Sequence, residues 1–325
     1  MMKCVTVRQP LLSWPGIALL AMCVALAHAA PVFAQASGKK GKAISEDKVL
    51  RTKDNVAINI TYFPSAAGKN APVAVLLHGA KGNRLVWHTG TGNIPGFAPA
   101  LQSNDFAVVT VDLRGHGQNI AGDGGAAAAN KKADPHKPTA RDHQAMVAGD
   151  LEAVKRFLFD EHQKEMLNMN KLAIVGADFS TAVALSYADL DWSKEPYDDA
   201  PVPAQRTPKG QDVRALILIS PDNTVPGLVT AAAAARIRAL QMPVMIGVGS
   251  KDPQDRNAAQ KLSDQLAPKQ LEKPHVFLEK YDSKLRGVEL LNKGLQLEPQ
   301  MYKFMDEYVK KSPGEWRNRK SPLTE

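Results

Sequence analysis

Cysteine is almost absent from this chain of 325 residues, which has only Cys4 and Cys23. Both fall within residues 1–36, which have the composition of a secretory signal, so the mature chain would contain no cysteine. This excludes a disulfide framework, a thiolate metal site and a cysteine nucleophile from the mature protein. A chain of this length buries a core large enough to be stable after export without disulfides.

The N-terminal segment also lacks an apolar run long enough to serve as a membrane anchor. Lys3 and Arg8 give it a positive start, and an apolar run follows at residues 16 to about 30. That run is short for a membrane span, which needs about 20 residues. The triplet Ala34-Gln35-Ala36 has small residues at the spacing that signal peptidase recognises. We therefore predict a cleaved signal peptide at residues 1–36 and export to the periplasm or the medium, with no stable membrane anchor after cleavage.

The predicted signal peptide defines the ends of the mature chain. Cleavage is expected after Ala36, and cleavage after Ala29 is the alternative. Residues 37–44 are rich in Gly, Lys and Ser and are predicted to be a flexible linker. At the other end, residues 312–325 are predicted to be a C-terminal tail, in which the basic cluster Arg317-Asn318-Arg319-Lys320 is expected to be solvated.

The chain also lacks a concentrated basic surface. Loss of Lys3 and Arg8 with the signal lowers the net charge from +8 to +6. The remaining basic residues are scattered among acidic ones, without the basic stripe and interleaved aromatics that are typical of nucleic-acid binding. We therefore expect no nucleic-acid partner. The sequence does not identify a protein partner.

Apolar runs alternate with helix-forming segments after an opening hairpin at residues 49–63. Continuous apolar runs are typical of central strands that are buried on both faces. They occur at residues 72–77, 107–111, 172–175, 214–220, 244–248 and 276–280. Segments with helical spacing lie at residues 97–102, 141–165, 180–187, 228–240, 258–266 and 299–310. The alternation predicts one α/β domain over residues 45–311, with a mostly parallel sheet covered by helices on both faces.

The most informative segment is Gly176-Ala177-Asp178-Phe179-Ser180, which joins an apolar strand directly to a helix. A sharp strand-to-helix turn with small residues on either side of a reactive one is the layout of a nucleophile elbow. Serine is usual at the centre of such a turn. Here Asp178 occupies that position.

Five segments, in this order, resemble those of the α/β hydrolases, and the resemblance covers about residues 45–311. They are His78-Gly79-x-x-Gly82, Asp112-x-Arg114-Gly115-His116-Gly117, the Asp178 turn, Gly249-Ser250-Lys251-Asp252 and Arg286-Gly287-Val288-Glu289-Leu290-Leu291. The last resembles the closing motif of the lysophospholipase-like and serine-aminopeptidase-like branch. The resemblance implies the α/β-hydrolase fold. The strands at residues 214–220 and 244–248 are too close in sequence for a large lid domain to lie between them.

The family uses serine, an acid and histidine, in that chain order. Histidine accepts the proton of the hydroxyl, and the acid holds the imidazole in the required tautomer. By resemblance, Asp178 occupies the nucleophile position, Asp252 the acid position and Arg286 the histidine position. No histidine follows His275, which opens the last predicted strand at the opposite end of the sheet. Two of the three positions therefore differ from the family's triad.

The resemblance also implies an oxyanion hole made by the backbone N–H groups of Ala80 and Phe179. Residues His78 and His116 are expected to be structural. Asp222 follows a predicted strand at a position where some relatives keep their acid, so it is an alternative to Asp252.

Two alternatives would keep a hydrolytic mechanism. Ser180 is the nearest hydroxyl, although using it would place Asp178 where the turn needs a small residue. Alternatively, Asp178 attacks to form an ester, as in proteins that resemble haloalkane dehalogenases and epoxide hydrolases. Those proteins need histidine to activate water, and Arg286 stays protonated at any ordinary pH. Lys284 is a candidate base only if burial lowers its pKa.

The remaining interpretation is structural. Asp178 and Arg286 are expected to face each other as a bidentate ion pair, with Asp252 on the other side of Arg286. A further alternative is a cation held by Asp178, Asp222 and Asp252. We expect no metal site and no cofactor otherwise, because no carboxylate lies at metal-ligand spacing from the remaining histidines, His88, His136, His143 and His162.

The leading hypothesis is an exported α/β-hydrolase-fold protein that resembles esterases and lysophospholipases. It is expected to be non-catalytic or strongly altered, and to bind a small acyl or ester ligand. The first alternative is an active hydrolase that uses Asp178 with a non-standard base. The second is a scaffold protein that uses only its surface, because a fold does not by itself establish a chemistry.

Overall fold

Eight strands in the described part of the chain form one sheet. The computed structural model describes residues 44–121, 138–267 and 275–324. The strands are β1 Glu46–Arg51, β2 Ala57–Phe63, β3 Val73–Leu77, β4 Ala107–Val111, β5 Leu172–Ala177, β6 Val213–Ile219, β7 Val244–Gly249 and β8 Val276–Tyr281. Their order in the sheet is β1-β2-β4-β3-β5-β6-β7-β8. Strand β2 pairs antiparallel with β1 and β4, and all other pairs are parallel. The predicted mostly parallel sheet is confirmed.

Seven α-helices accompany the strands in the described residues. They are α1 Phe97–Gln102, α2 Ala140–Ala145, α3 Leu151–Gln163, α4 Ser180–Trp192, α5 Thr230–Ala239, α6 Ala258–Leu266 and α7 Leu297–Met305. The segment predicted as one helix at residues 141–165 is interrupted by a π-helical turn at Met146–Asp150. The helical segment starts at Thr139, whose side chain accepts the Asp142 N–H, while Asp142 accepts the Thr139 N–H in return. This reciprocal capping satisfies N–H groups that have no partner in the first turn.

The central strands are apolar throughout because helices cover both faces of the sheet. Alternate side chains of β3 belong to two different clusters: Val75 packs on one face with α3 to α6, and Leu76 on the other with α1 and α7. This alternation follows from the two-residue period of a strand. The two-sided helical cover predicted from the sequence is confirmed.

The carboxyl ends of β5, β6, β7 and β8 lie at one edge of the sheet, where ligands of such folds bind. Between β6 and β7 the chain forms α5 and short connections, without a lid domain. None of the helices in the described ranges has the length and apolar character that a membrane span requires. The predicted signal peptide and its two cleavage sites lie outside the described residues, as do residues 37–43 of the linker and His136.

The expectation of a solvated basic end is wrong for Arg319. Its side chain is 2% exposed and forms an ion pair with Asp212, which Lys155 contacts at 2.8 Å. Arg319 Nη2 also donates to the Pro208 carbonyl at 3.0 Å. Nearby, the Trp316 ring stacks on His162 with 5.1 Å between centroids. Two buried carboxylates in this region, Asp191 and Asp212, explain why a basic side chain packs here instead of remaining in solvent.

Candidate functional site

Asp178 lies at the turn between β5 and α4, with a φ of +52°. Gly176 permits the turn, since a Cβ there would lie 2.6 Å from the Ser180 carbonyl oxygen. The Ser180 hydroxyl accepts the Ala177 N–H at 2.8 Å and donates to the Ala177 carbonyl at 2.9 Å. Ser180 is fully buried. Its hydroxyl therefore closes the turn, and the alternative of Ser180 as nucleophile is wrong.

The Asp178 carboxylate occupies a narrow space between two glycines. A Cβ on Gly79 would lie 2.1 Å from Asp178 Oδ2, and a Cβ on Gly287 would lie 2.5 Å from Oδ1. The Ala80 backbone N–H also interacts with the Asp178 carboxyl and lowers its pKa. The N–H that the resemblance assigns to an oxyanion hole therefore interacts with the chain's own carboxyl group.

Arg286 is the centre of the charged groups at this edge of the sheet. Its Nη1 lies 2.7 Å from Asp252 Oδ2, its Nη2 lies 2.5 Å from Asp222 Oδ1, and its Nε lies 3.3 Å from Asp178 Oδ1. These four residues, Asp178, Asp222, Asp252 and Arg286, are called the Arg286 cluster below. The acids follow β5, β6 and β7, and Arg286 follows β8. The expected contacts of Arg286 with Asp178 and Asp252 are confirmed.

The expected bidentate pair between Asp178 and Arg286 is wrong. The guanidinium directs its two terminal nitrogens to Asp252 and Asp222, so only Nε approaches Asp178. Asp178 Oδ1 is buried and accepts no hydrogen bond from the described residues. The contact with Asp178 is thus a charge contact without hydrogen-bond geometry. The three acids that sequence reasoning considered for a cation converge instead on the guanidinium.

The cluster has three acids for one base, and this imbalance affects protonation. Burial raises the pKa of Asp178 to about 6, and the neighbouring charges of Asp222 and Asp252 add to the rise. The Arg286 charge and the Ala80 N–H act in the opposite direction but do not cancel it. Burial lowers the pKa of Arg286. The hydrogen bond to Asp252 and the charges of the nearby carboxylates have the larger effect, so the pKa lies above its ordinary value.

Ser220, at the end of β6, supports the cluster and was missed by sequence reasoning. It is fully buried with a φ of +48°, in the left-handed region that only glycine adopts freely. Its hydroxyl accepts the Gly287 N–H at 2.9 Å, and its carbonyl accepts Arg286 Nη2 at 3.0 Å. These bonds hold the β8 loop against β6. The only sequence signal was a serine that ends a predicted strand.

The histidines near the turn have structural contacts. The buried His78 ring bonds the Gly79 carbonyl through Nδ1 and accepts the Leu113 N–H through Nε2, and burial lowers its pKa to about 4. His116 stacks on Phe179 with 5.1 Å between centroids. The sequence did not place His143 near this turn. The centroid of its ring lies 5.7 Å from that of Phe179, and its Nδ1 bonds the Pro226 carbonyl. In the ranges the structure describes, the acids of the Arg286 cluster have no ion pair with histidine.

The sequence alternative of Lys284 as a base requires a buried amine. Lys284 is exposed, so that condition is not met. The described His, Cys, Asp and Glu side chains also include no group of three or more arranged to hold a metal ion. The chemistry of the cluster is that of its guanidinium, which carries a positive charge and donates hydrogen bonds. The guanidinium cannot accept a proton from a hydroxyl or from water.

Comparisons with known proteins agree with this architecture. An esterase from Pyrococcus furiosus has a TM-score of 0.55 and 14% identity, over 82% of this chain and 92% of the esterase. A dienelactone hydrolase from Anabaena variabilis has a TM-score of 0.51 and 12% identity, over 82% of this chain and 96% of that one. At these identities the likeness shows the fold alone. A search of curated proteins found no match.

A third structure shares the fold within a larger chain. A puromycin-hydrolyzing peptidase from Mycobacterium tuberculosis has a TM-score of 0.54 and 14% identity, over 82% of this chain but 39% of the peptidase. The sequence itself matches the alpha/beta hydrolase family over residues 74–319, well over half of the chain. The matched range includes most of β3, all of β4 to β8 and every member of the Arg286 cluster. The chain therefore belongs to the alpha/beta hydrolase family.

Proposed function

We propose that this protein is an exported member of the family in which the Arg286 cluster replaces the serine–acid–histidine triad. It binds a small acyl or ester ligand and does not hydrolyse it. Within the family it is most similar in its motifs to the esterase and lysophospholipase-like branch, as the segment beginning at Arg286 suggests. The observation that carries the proposal is the contact of one guanidinium, after β8, with three carboxylates that follow β5, β6 and β7.

The chemistry of the cluster supports binding over turnover. A serine-type mechanism needs a hydroxyl at the turn and an imidazole beside it, and Asp178 and Arg286 supply neither. An aspartate mechanism needs an ionised nucleophile and then a base that activates water. Burial raises the pKa of Asp178 to about 6, so this carboxyl ionises above that pH, but Arg286 cannot act as the base that activates water. The carboxylate of Asp178 also interacts with the Ala80 N–H, which by resemblance would stabilise an oxyanion.

Ester turnover is the direct test. Release of p-nitrophenolate from p-nitrophenyl acetate and butyrate would be measured for the wild type, for Asp178→Asn and for the control Asp198→Asn. Asp198 has a side chain that is 82% exposed and lies outside the cluster. We expect p-nitrophenolate release with each of the three proteins to be no faster than in buffer without protein. Turnover by the wild type that Asp178→Asn abolishes and Asp198→Asn preserves would overturn the proposal and establish an aspartate nucleophile.

Ligand binding is tested separately with N-phenylbutyramide, an acyl amide that esterases do not readily cleave. Titration calorimetry is expected to detect binding to the wild type and weaker binding to Arg286→Met, which removes the charge at the centre of the cluster. Absence of binding by several acyl amides, together with absence of turnover, would favour the scaffold hypothesis.

Export rests on the sequence of residues 1–36. Expression of the full chain, followed by fractionation and N-terminal sequencing, is expected to give a mature protein that begins at Ser37. A start at Ala30 would select the alternative cleavage site after Ala29. Retention of Met1 on a membrane-bound product would contradict export by a cleaved signal.

A further inference from the structure

A cavity of about 310 Å³ lies beside the Arg286 cluster, between the start of α4, the loop after β6 and the helix α6. Its walls include Leu185, Leu228 and Leu262. Asp222 lines the cavity on the side of the cluster, and Lys261 lines it from α6. The cavity therefore presents one acid, one base and an aliphatic wall to the same small volume.

Asp222 is held in place with one oxygen available. Its Oδ1 accepts Arg286 Nη2, and the same nitrogen is fixed by the Ser220 carbonyl. No hydrogen bond from the described parts of the chain reaches its second oxygen, and the side chain is 35% exposed. A carboxylate that is held in place through one oxygen can accept a hydrogen bond from a charged donor through the other without moving. Such charge-assisted hydrogen bonds are stronger than those between neutral groups.

Lys261 supplies the opposite charge. Its backbone N–H donates to the carbonyl of Asn257, just before α6, while its ammonium has no ion pair within residues 44–121, 138–267 or 275–324. Arg286, by contrast, is already paired with three acids. Lys261 is exposed on a flexible stem, so its ammonium can turn toward the mouth of the cavity.

We propose that this cavity binds a small zwitterion with an aliphatic side chain, such as a free α-amino acid. The ligand ammonium binds Asp222, the ligand carboxylate binds Lys261, and the aliphatic part packs against Leu185 and Leu262. A simple carboxylate would lie near the charge of Asp222, and a simple amine near that of Lys261. Only a ligand with both charges pairs both groups without such repulsion. The site goes beyond the proposed function, because its ligand is a zwitterion and not an acyl or ester compound.

Titration calorimetry with L-leucine tests the site, with 4-methylpentanoate and isopentylamine as analogues that lack one charge each. We expect L-leucine to bind, and each analogue to bind about tenfold more weakly, as the loss of one charge-assisted bond predicts. Lys261→Met is expected to weaken leucine binding about tenfold as well. Lys303→Met, at an exposed position outside the cavity, is the matched control and should leave the affinity unchanged.

Lys261 is exposed, so Lys261→Met should fold, and its melting temperature verifies this. Failure of L-leucine to bind the folded wild type would overturn the inference, as would equal binding of 4-methylpentanoate. Equal affinity in Lys261→Met and the wild type would also contradict it. None of these results bears on ester turnover, so this site and the proposed function can fail independently.

Discussion

Arg286 Nη1 lies 2.7 Å from Oδ2 of Asp252, a side chain of which only 1% is exposed. Removing the counter-charge of a buried carboxylate lowers the free energy of unfolding by about 3–5 kcal/mol in comparable pairs. Arg286→Ala would leave Asp252 unpaired and remove the partner of Asp222. We therefore expect a loss of stability of about 3–5 kcal/mol in urea unfolding at pH 7.

Arg236→Ala is the matched control for that variant. Arg236 also pairs with an aspartate, Asp189, but 63% of its side chain is exposed. Such pairs contribute about 0–1 kcal/mol. Equal losses in the Arg286 and Arg236 variants would show that the cluster is no more than another surface contact.

The stability of the protein should depend on the protonation of Asp178. Its pKa in the folded chain is about 6, above the ordinary value of 3.8. The folded state therefore binds the proton more tightly, and stability from this group is lost as the pH rises from about 4 to about 6. Asp178→Asn removes this penalty and is expected to be more stable than the wild type at pH 7, by at most about 3 kcal/mol.

Urea unfolding of both proteins between pH 4 and pH 7 measures this effect. The difference in unfolding free energy between Asp178→Asn and the wild type should grow with pH across this interval. Asp198→Asn, at an exposed position, should follow the wild type at every pH. Parallel curves for Asp178→Asn and the wild type would mean that Asp178 titrates normally.

Much of this fold was predictable because its signals are local. The run at β5 is apolar on both faces, and the glycine and serine around Asp178 are those that a tight turn requires. Strand ends in a parallel sheet meet at one edge, so the proximity of Asp178, Asp252 and Arg286 also followed. What did not follow was how one guanidinium is shared among its neighbours, because that depends on side-chain positions that differ by about one ångström.

Arg319 shows the other limit of sequence reasoning. Four basic or polar residues at a chain end are typical of a solvated tail, and nothing local distinguishes Arg319 from its neighbour Arg317. Its burial depends on Asp212, more than a hundred residues earlier in the sequence. A long-range pair of this type has no local pattern, so the sequence alone did not reveal it.

This pair leads to a prediction about the tail. Arg319→Ala leaves the buried Asp191 and Asp212 with Lys155 as their remaining basic partner, and should destabilise the protein by about 3–5 kcal/mol. Arg317→Ala is the control in the same segment, because Arg317 is exposed and its contact with His162 is made by the backbone carbonyl. Thermal unfolding at pH 7 compares the two. A melting temperature that is unchanged in Arg319→Ala would mean that Lys155 alone balances both acids.

The geometry also predicts which changes would give the protein a triad. Asp178→Ser places a hydroxyl at the turn and frees the Ala80 N–H, and Arg286→His places an imidazole where Asp252 now holds the guanidinium. The double variant is expected to hydrolyse p-nitrophenyl acetate about tenfold or more above the wild type, far below the enhancement of about 10⁶ or more that evolved enzymes reach. Each single variant should stay at the level of the wild type, because hydroxyl and imidazole act as a unit. Equal activity in the double variant and Asp178→Ser alone would show that the introduced imidazole does not reach the introduced hydroxyl and that the cluster does not occupy the triad's position.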